Sequence, residues 1–145
     1  MKKIGTYTMR GQIVANSNSN RILLFDGRFD TAFRVVDFII AAQDPNASAG
    51  DCNAKLTTEP TTLLGWNWDD NTQIAWAVSE VRVTSAPSFG RSIVDPDNLI
   101  VQDLFIQGEN AGSADINYMI KLEKYDISDY QGALAMVRNK SQGAD

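Results

Sequence analysis

The sequence predicts an all-β chain: an antiparallel β-sandwich of jelly-roll-like topology, with one short C-terminal helix. Three observations carry this. Short apolar runs rich in β-branched and aromatic residues recur along the 145 residues. Clusters of Asn, Ser, Asp, Gly and Pro separate them. The runs number about seven or eight at close, irregular spacing, a pattern of sandwiches and jelly rolls rather than of parallel α/β sheets. No internal repeat or composition break divides the chain, so residues 1–145 are expected to form a single β-sandwich domain.

Thr6 to Val14 reads as a strand with Tyr7, Met9 and Ile13 on one face and Gly11 between them. Asn16 to Asn20 is a polar turn. Arg21 to Asp26 is a short strand, and Asp26-Gly27 is a hairpin signal. Phe33 to Ala42 is apolar on both faces, with Phe33, Val35 and Ile39 on one and Val36, Phe38 and Ile40 on the other. Such a strand is either central in the sandwich or covers a second interface. Gln43 to Gly50 is a loop. Cys52 to Thr58 is a weak strand, and Pro60 to Asn71 a long connection holding Trp66 and Trp68. Ile74 to Thr84 is a strand, Ser85 to Asn98 a loop, and Leu99 to Ile106 a strand ended by Gly108.

Ile116 to Lys124 alternates cleanly, with Ile116, Tyr118, Ile120 and Leu122 inward and Asn117, Lys121 and Glu123 outward. Ser128-Asp129-Tyr130-Gln131 fits a capping box, and Tyr130, Ala133, Leu134 and Val137 share a helical face, so a helix is expected from about Asp129 to Arg138. The stretch before Thr6 and the tail after Arg138 are short and polar, and are expected to gain order by docking on a neighbour.

Composition excludes several function classes. The net charge is −5, which argues against binding phosphate backbones or anionic membranes. There is no histidine and only one cysteine, Cys52. No disulfide can form within the chain, and the thiol lacks the base that would activate it. Cys52 is expected to pack as a small apolar residue. Lys2 and Lys3 resemble a signal-peptide start, but Ile4 to Arg10 has no continuous apolar core, so no signal peptide is expected and the chain is read as made in a cytoplasm.

Asp95-Pro96-Asp97-Asn98 resembles the start of a calcium loop. Ile100 stands where that loop needs glycine, so a turn with Asx caps is expected and no metal. Asp69, Asp95, Asp97 and Asp103 offer carboxylates, but spacing selects no pair for glycoside hydrolysis. No catalytic residue and no cofactor is expected. Trp66 and Trp68 sit two apart. Buried, they would be core anchors or an interface plug; exposed, with Trp76, they would form a sugar-stacking platform. Together with Phe33 and Val35 they are the candidate interface residues.

Several segments carry a resemblance: Leu24-Phe25-Asp26-Gly27-Arg28-Phe29-Asp30-Thr31, Leu56-Thr57-Thr58-Glu59-Pro60, Val94-Asp95-Pro96-Asp97-Asn98-Leu99-Ile100-Val101, Ile116 to Tyr125, and Ala133 to Gln142. In overall pattern the chain resembles small virion structural proteins of marine tailed bacteriophages. That resemblance implies a virion component present in many copies, and it transfers no functional residue. With the acidic balance, it points to a capsid decoration or cement protein on the major capsid lattice. A tail or neck component and a jelly-roll shell protein are alternatives within the class, and a carbohydrate-binding module is the rival outside it. The expected partners are the major capsid protein or other virion proteins and further copies of the chain, with no direct nucleic acid and no membrane.

Overall fold

The computed structural model describes residues 2–16, 19–43, 51–62, 64–80, 89–110 and 114–127. The helix expected over 129–138 and the tail after it lie outside these residues. The described residues form eight strands: β1 (Lys2–Ile13), β2 (Asn20–Ile22), β3 (Thr31–Ala42), β4 (Cys52–Thr57), β5 (Gln73–Glu80), β6 (Phe89–Val94), β7 (Leu104–Asn110) and β8 (Ile116–Asp126). They form two antiparallel sheets, β1-β8-β3 and β2-β7-β4-β5-β6. The order nests the chain ends: β1 pairs with β8, β2 with β7 and β4 with β5. This nesting is the jelly-roll arrangement. The remaining nested couple, β3 and β6, lie side by side, but β6 takes its ladder from β5.

Alternation sets which side chains enter the core. On β8, Ile116, Ile120 and Leu122 are buried, Tyr118 is half-buried and Lys121 is exposed, as the period-two pattern requires. They meet Ala54 and Leu56 of β4, Ala75 and Ala77 of β5, and Leu104 and Ile106 of β7 in one cluster between the sheets. Gly108 is the close-approach point. A Cβ there would lie 2.6 Å from Ile116 Cδ1, 3.1 Å from the Asn53 carbonyl and 3.2 Å from Ile13 Cδ1. The two isoleucines reach across from the facing sheet into the space that glycine leaves.

The two-sided apolar pattern of Phe33 to Ala42 has a different cause from the one expected. The β3–β8 register shifts between Val35 and Asp37. Val36 is the extra residue of a β-bulge, and a bulge reverses the phase of everything after it. Val35, Phe38, Ile40 and Ala42 therefore all enter the same core. Val36 and Ile39 point out to solvent. The strand has one buried face, assembled from two phases.

A side chain secures the bulge. Asn98 is buried; its Oδ1 accepts the Val35 N–H at 2.8 Å, and its Nδ2 donates to the Val35 carbonyl at 3.0 Å and to the Asp95 carbonyl at 2.6 Å. Two residues on, Ile100 and Phe33 exchange both backbone hydrogen bonds at 2.7 Å. The same loop is tied to the other sheet, since Asp95 N–H donates to the Ile74 carbonyl at 2.8 Å. Asp95 to Ile100 is thus a bridge between the sheets where β3 and β6 would otherwise pair. Below it, Ala32, Val101 and Ile127 form a small second cluster.

Other boundaries differ for related reasons. The strand expected over Leu99 to Ile106 begins at Leu104, because Ile100 is spent on β3. The loop expected from Ser85 contains β6. Asp26-Gly27 closes no hairpin: β2 and β3 belong to different sheets, and the connection bends with Gly27 at φ 84°. The segment before Thr6 is not loose. Lys2 and Lys3 pair with Asp126 and Tyr125, and Lys3 Nζ lies 2.6 Å from Glu123 Oε2.

Gly108→Ala tests the packing between the sheets. With backbone and isoleucine methyls in the way, the substitution is expected to destabilise the fold by about 1–3 kcal/mol through overpacking, read as a shift of the urea midpoint. Additional truncation of Ile116 to Val is expected to recover part of that loss, because the nearest clash is with its Cδ1.

Candidate functional site

The outer face of the five-stranded sheet is not solvated at its centre. Cross-strand register sets Gln107 of β7, Lys55 of β4 and Trp76 of β5 in one row. All three are buried although they point away from the core. The segment from Thr58 to Thr72 lies over them as a strap. Its ends are closed by Thr58 N–H donating to the Thr72 carbonyl at 2.9 Å.

Polar side chains pin the strap from beneath. Lys55 Nζ donates to the Gly65 carbonyl at 2.6 Å. Gln73 Oε1 accepts the Asn67 N–H at 2.9 Å and the Trp76 indole N–H at 3.0 Å. Asp70 Oδ1 accepts from both the N–H and the hydroxyl of Thr72, at 2.9 and 2.7 Å. At the other end Ser19 Oγ donates to the Thr61 carbonyl and accepts the Thr61 N–H, both at 2.7 Å. Burial pushes the Lys55 ammonium below the ordinary lysine value, partly offset by the charges of Asp70 and Glu109. An amine held on a carbonyl under a strap is a fastener.

What the strap displays is aromatic. Trp68 is 65 % exposed and Trp66 37 % exposed. Trp68 leans on the buried Trp76, with ring centroids 5.7 Å apart and planes at 53°. Three indoles are therefore drawn to one region, and the Trp68 and Trp76 rings are not coplanar. The candidate site is this strap, a fixed turn offering Trp68 and part of Trp66.

The other candidate residues are placed elsewhere. Val35 is 1 % exposed in the core, so within this fold it offers no surface for an interface. Phe33 is half-buried on the same strand, with Lys124 Nζ 5.4 Å from its ring centroid and the Tyr7 ring edge-on at 6.5 Å. The four residues thus divide between two sheets. Cys52 is buried, and burial pushes its thiol up to about 11.

The carboxylates do not converge. Asp95 Oδ1 accepts the Asp97 N–H at 2.9 Å, an Asx turn as expected. Asp69 is exposed in the strap turn. Asp103 is buried, with Oδ1 accepting the Leu24 and Phe25 N–H groups at 2.8 and 2.9 Å and Oδ2 held by Arg21. Among the described residues no group of three metal-ligating side chains occurs.

Lys55, Gln73 and Gln107 were not singled out by sequence reasoning. On a half-buried sheet such residues read as the solvent face. The length of the Pro60 to Asn71 connection is the one signal for a covering segment, since connections this long in compact domains tend to carry function.

Asp103 makes the acid stability testable. Burial alone would raise its carboxyl, but the Phe25 and Leu24 N–H groups and the Arg21 guanidinium outweigh that and hold it below the ordinary value of 3.8. Its charged form therefore adds stability at neutral pH, and that increment is lost as pH falls through the folded value. Asp103→Asn is expected to cost about 1–3 kcal/mol at pH 7 and to flatten the acid limb of a stability–pH curve. An unchanged acid limb would place the acid sensitivity elsewhere.

Comparison with family models, with curated proteins and with solved structures gives no match.

Proposed function

We propose that this chain is a bacteriophage virion structural protein, a capsid decoration protein that binds the major capsid lattice and acts by contact rather than by catalysis. The observation that carries this is the strap: a buried lysine and a buried glutamine fix its backbone while Trp68 remains 65 % exposed. A rigid, exposed aromatic suits an interface anchor, since little ordering entropy is lost when a partner covers it. The jelly roll adds support by analogy only, because the same architecture serves viral shells and sugar-binding domains.

The two uses make different demands on the tryptophans. Sugar stacking favours a free platform of parallel rings, whereas here Trp76 is buried and Trp68 is tilted against it by 53°. This favours a protein surface over a glycan. The net charge of −5 favours the outside of a capsid over the lining of its genome. Decoration then stabilises the shell by binding only the assembled lattice, with many weak sites adding along it.

Co-sedimentation with undecorated capsids of the encoding phage tests this. The chain is expected to pellet with them, and Trp68→Ala to weaken binding about tenfold or more with its melt almost unchanged. Failure of the intact chain to bind capsids would end the decoration reading, and binding to tails instead would move it to the tail or neck. Retardation in a polysaccharide gel that is lost in Trp68→Ala would establish the carbohydrate reading in its place.

A further inference from the structure

The four sheet edges of this sandwich are treated unequally. β2 is an edge of three residues, too short to template another chain. β6 lies against β3. The edge of β3 is occupied at Phe33 and Val35 by Ile100 and Asn98, and the Asp37 carboxylate takes the next free N–H, that of Phe38, at 2.9 Å. These are the devices by which sheet proteins blunt their edges. Among the described residues, β1 shows none of them from Gly5 to Ile13. It runs for 12 residues, and among the described residues it pairs with β8 alone. Its single bulge is at Ile4, and from Gly5 to Ile13 the register is unbroken.

We propose that β1 is the dimerisation edge of this chain, pairing antiparallel with β1 of a second copy across a two-fold axis at Thr8. The sandwich restricts the register, and the side chains choose within it. Tyr7 and Met9 lie on the inner face and Thr6, Thr8 and Arg10 on the outer, so the two sheets continue smoothly only if inner residues meet inner ones. With Thr8 on the axis, Tyr7 stands opposite the second copy's Met9, and the reverse. Each pair covers a tyrosine that is 49 % exposed in the single chain, in an aromatic–thioether contact. Thr8 faces Thr8, a favourable cross-strand pair. Arg10 stands opposite Thr6 and Lys3 stays on Glu123, so no two cations are directly opposed. The product is one six-stranded sheet, β3-β8-β1-β1-β8-β3, with a closed two-fold interface that cannot propagate into a fibre.

The test uses the full chain alone and does not depend on the virion reading. Sedimentation equilibrium is expected to show a dimer. Thr8→Lys, at an exposed site, is expected to raise the dimer dissociation constant about tenfold or more by placing two ammonium groups at the axis, with an unchanged melt. Paired residues sit about 4.5–5.5 Å apart at Cα, within disulfide range. Oxidised Thr8→Cys is therefore expected to give a covalent dimer, and Gln12→Cys, which would face Ile4, is not. A monomeric chain in which Thr8→Cys fails to cross-link overturns the proposal. So does a dimer untouched by Thr8→Lys, since its copies would then meet elsewhere.

Discussion

The contact on which the rest of this sandwich depends is the one between the Asn98 amide and the backbone of Val35. A jelly roll needs its two sheets joined along the side where β3 and β6 approach. Here β6 gives its ladder to β5, and a carboxamide stands in for the missing strand. It presents an acceptor and a donor to one residue, as a neighbouring backbone would, and both bonds are made in a buried setting where an unmade one costs about 1–3 kcal/mol. Because Asn98 also holds the Asp95 carbonyl, and Asp95 is bonded to Ile74 of β5, the one side chain couples both sheets. The bulge at Val36 sits directly beside this anchor, and through the bulge Val35 and Phe38 reach the same core.

Amide and carboxylate side chains repeat this use where β1 gives way to β2, where β2 gives way to β3, and under the strap. Asn16, at φ 59°, donates its side-chain amide to the Asn110 carbonyl at 2.8 Å while its own N–H reaches Gly108. Asp103 gathers the Leu24 and Phe25 N–H groups as β2 gives way to the crossing toward β3. Gln73 holds the strap and the Trp76 indole through one oxygen. Crossings in a jelly roll strand backbone groups that no ladder can satisfy, and buried polar groups must find partners. An abundance of Asn, Asp and Gln at these points follows from the topology, and the displayed tryptophans inherit their rigidity from it.

This explains which features could be read in the sequence. β8 was legible because nothing disturbs its alternation: Ile116, Ile120 and Leu122 are buried and Lys121 is exposed. β3 carried the same kind of signal, but one inserted residue reversed its phase, and alternation alone cannot tell a bulged strand from one buried on both sides. Leu99 to Val101 reads as the start of a strand and is instead a bridge to β3, a choice made by Asn98 from across the fold. Of the candidate interface, Trp66 and Trp68 could be named from the chain, but their exposure could not. That depends on Lys55 and Gln73, whose burial beneath the strap has no local signature. Val35 failed as a surface residue for the same reason as β3 as a whole.

The central claim is that the Asn98 staple is a global element of stability and not a loop contact. Native-state hydrogen exchange at the Val35 amide tests it directly, since that N–H is bonded to the Asn98 side chain. If the staple joins the sheets, Val35 exchanges only by global unfolding, with an opening free energy equal to that of Ile120 in the middle of β8. Fast exchange at Val35 while Ile120 stays protected would show that the Asp95 to Ile100 bridge opens on its own, and the sheets would then be held together by their apolar faces alone.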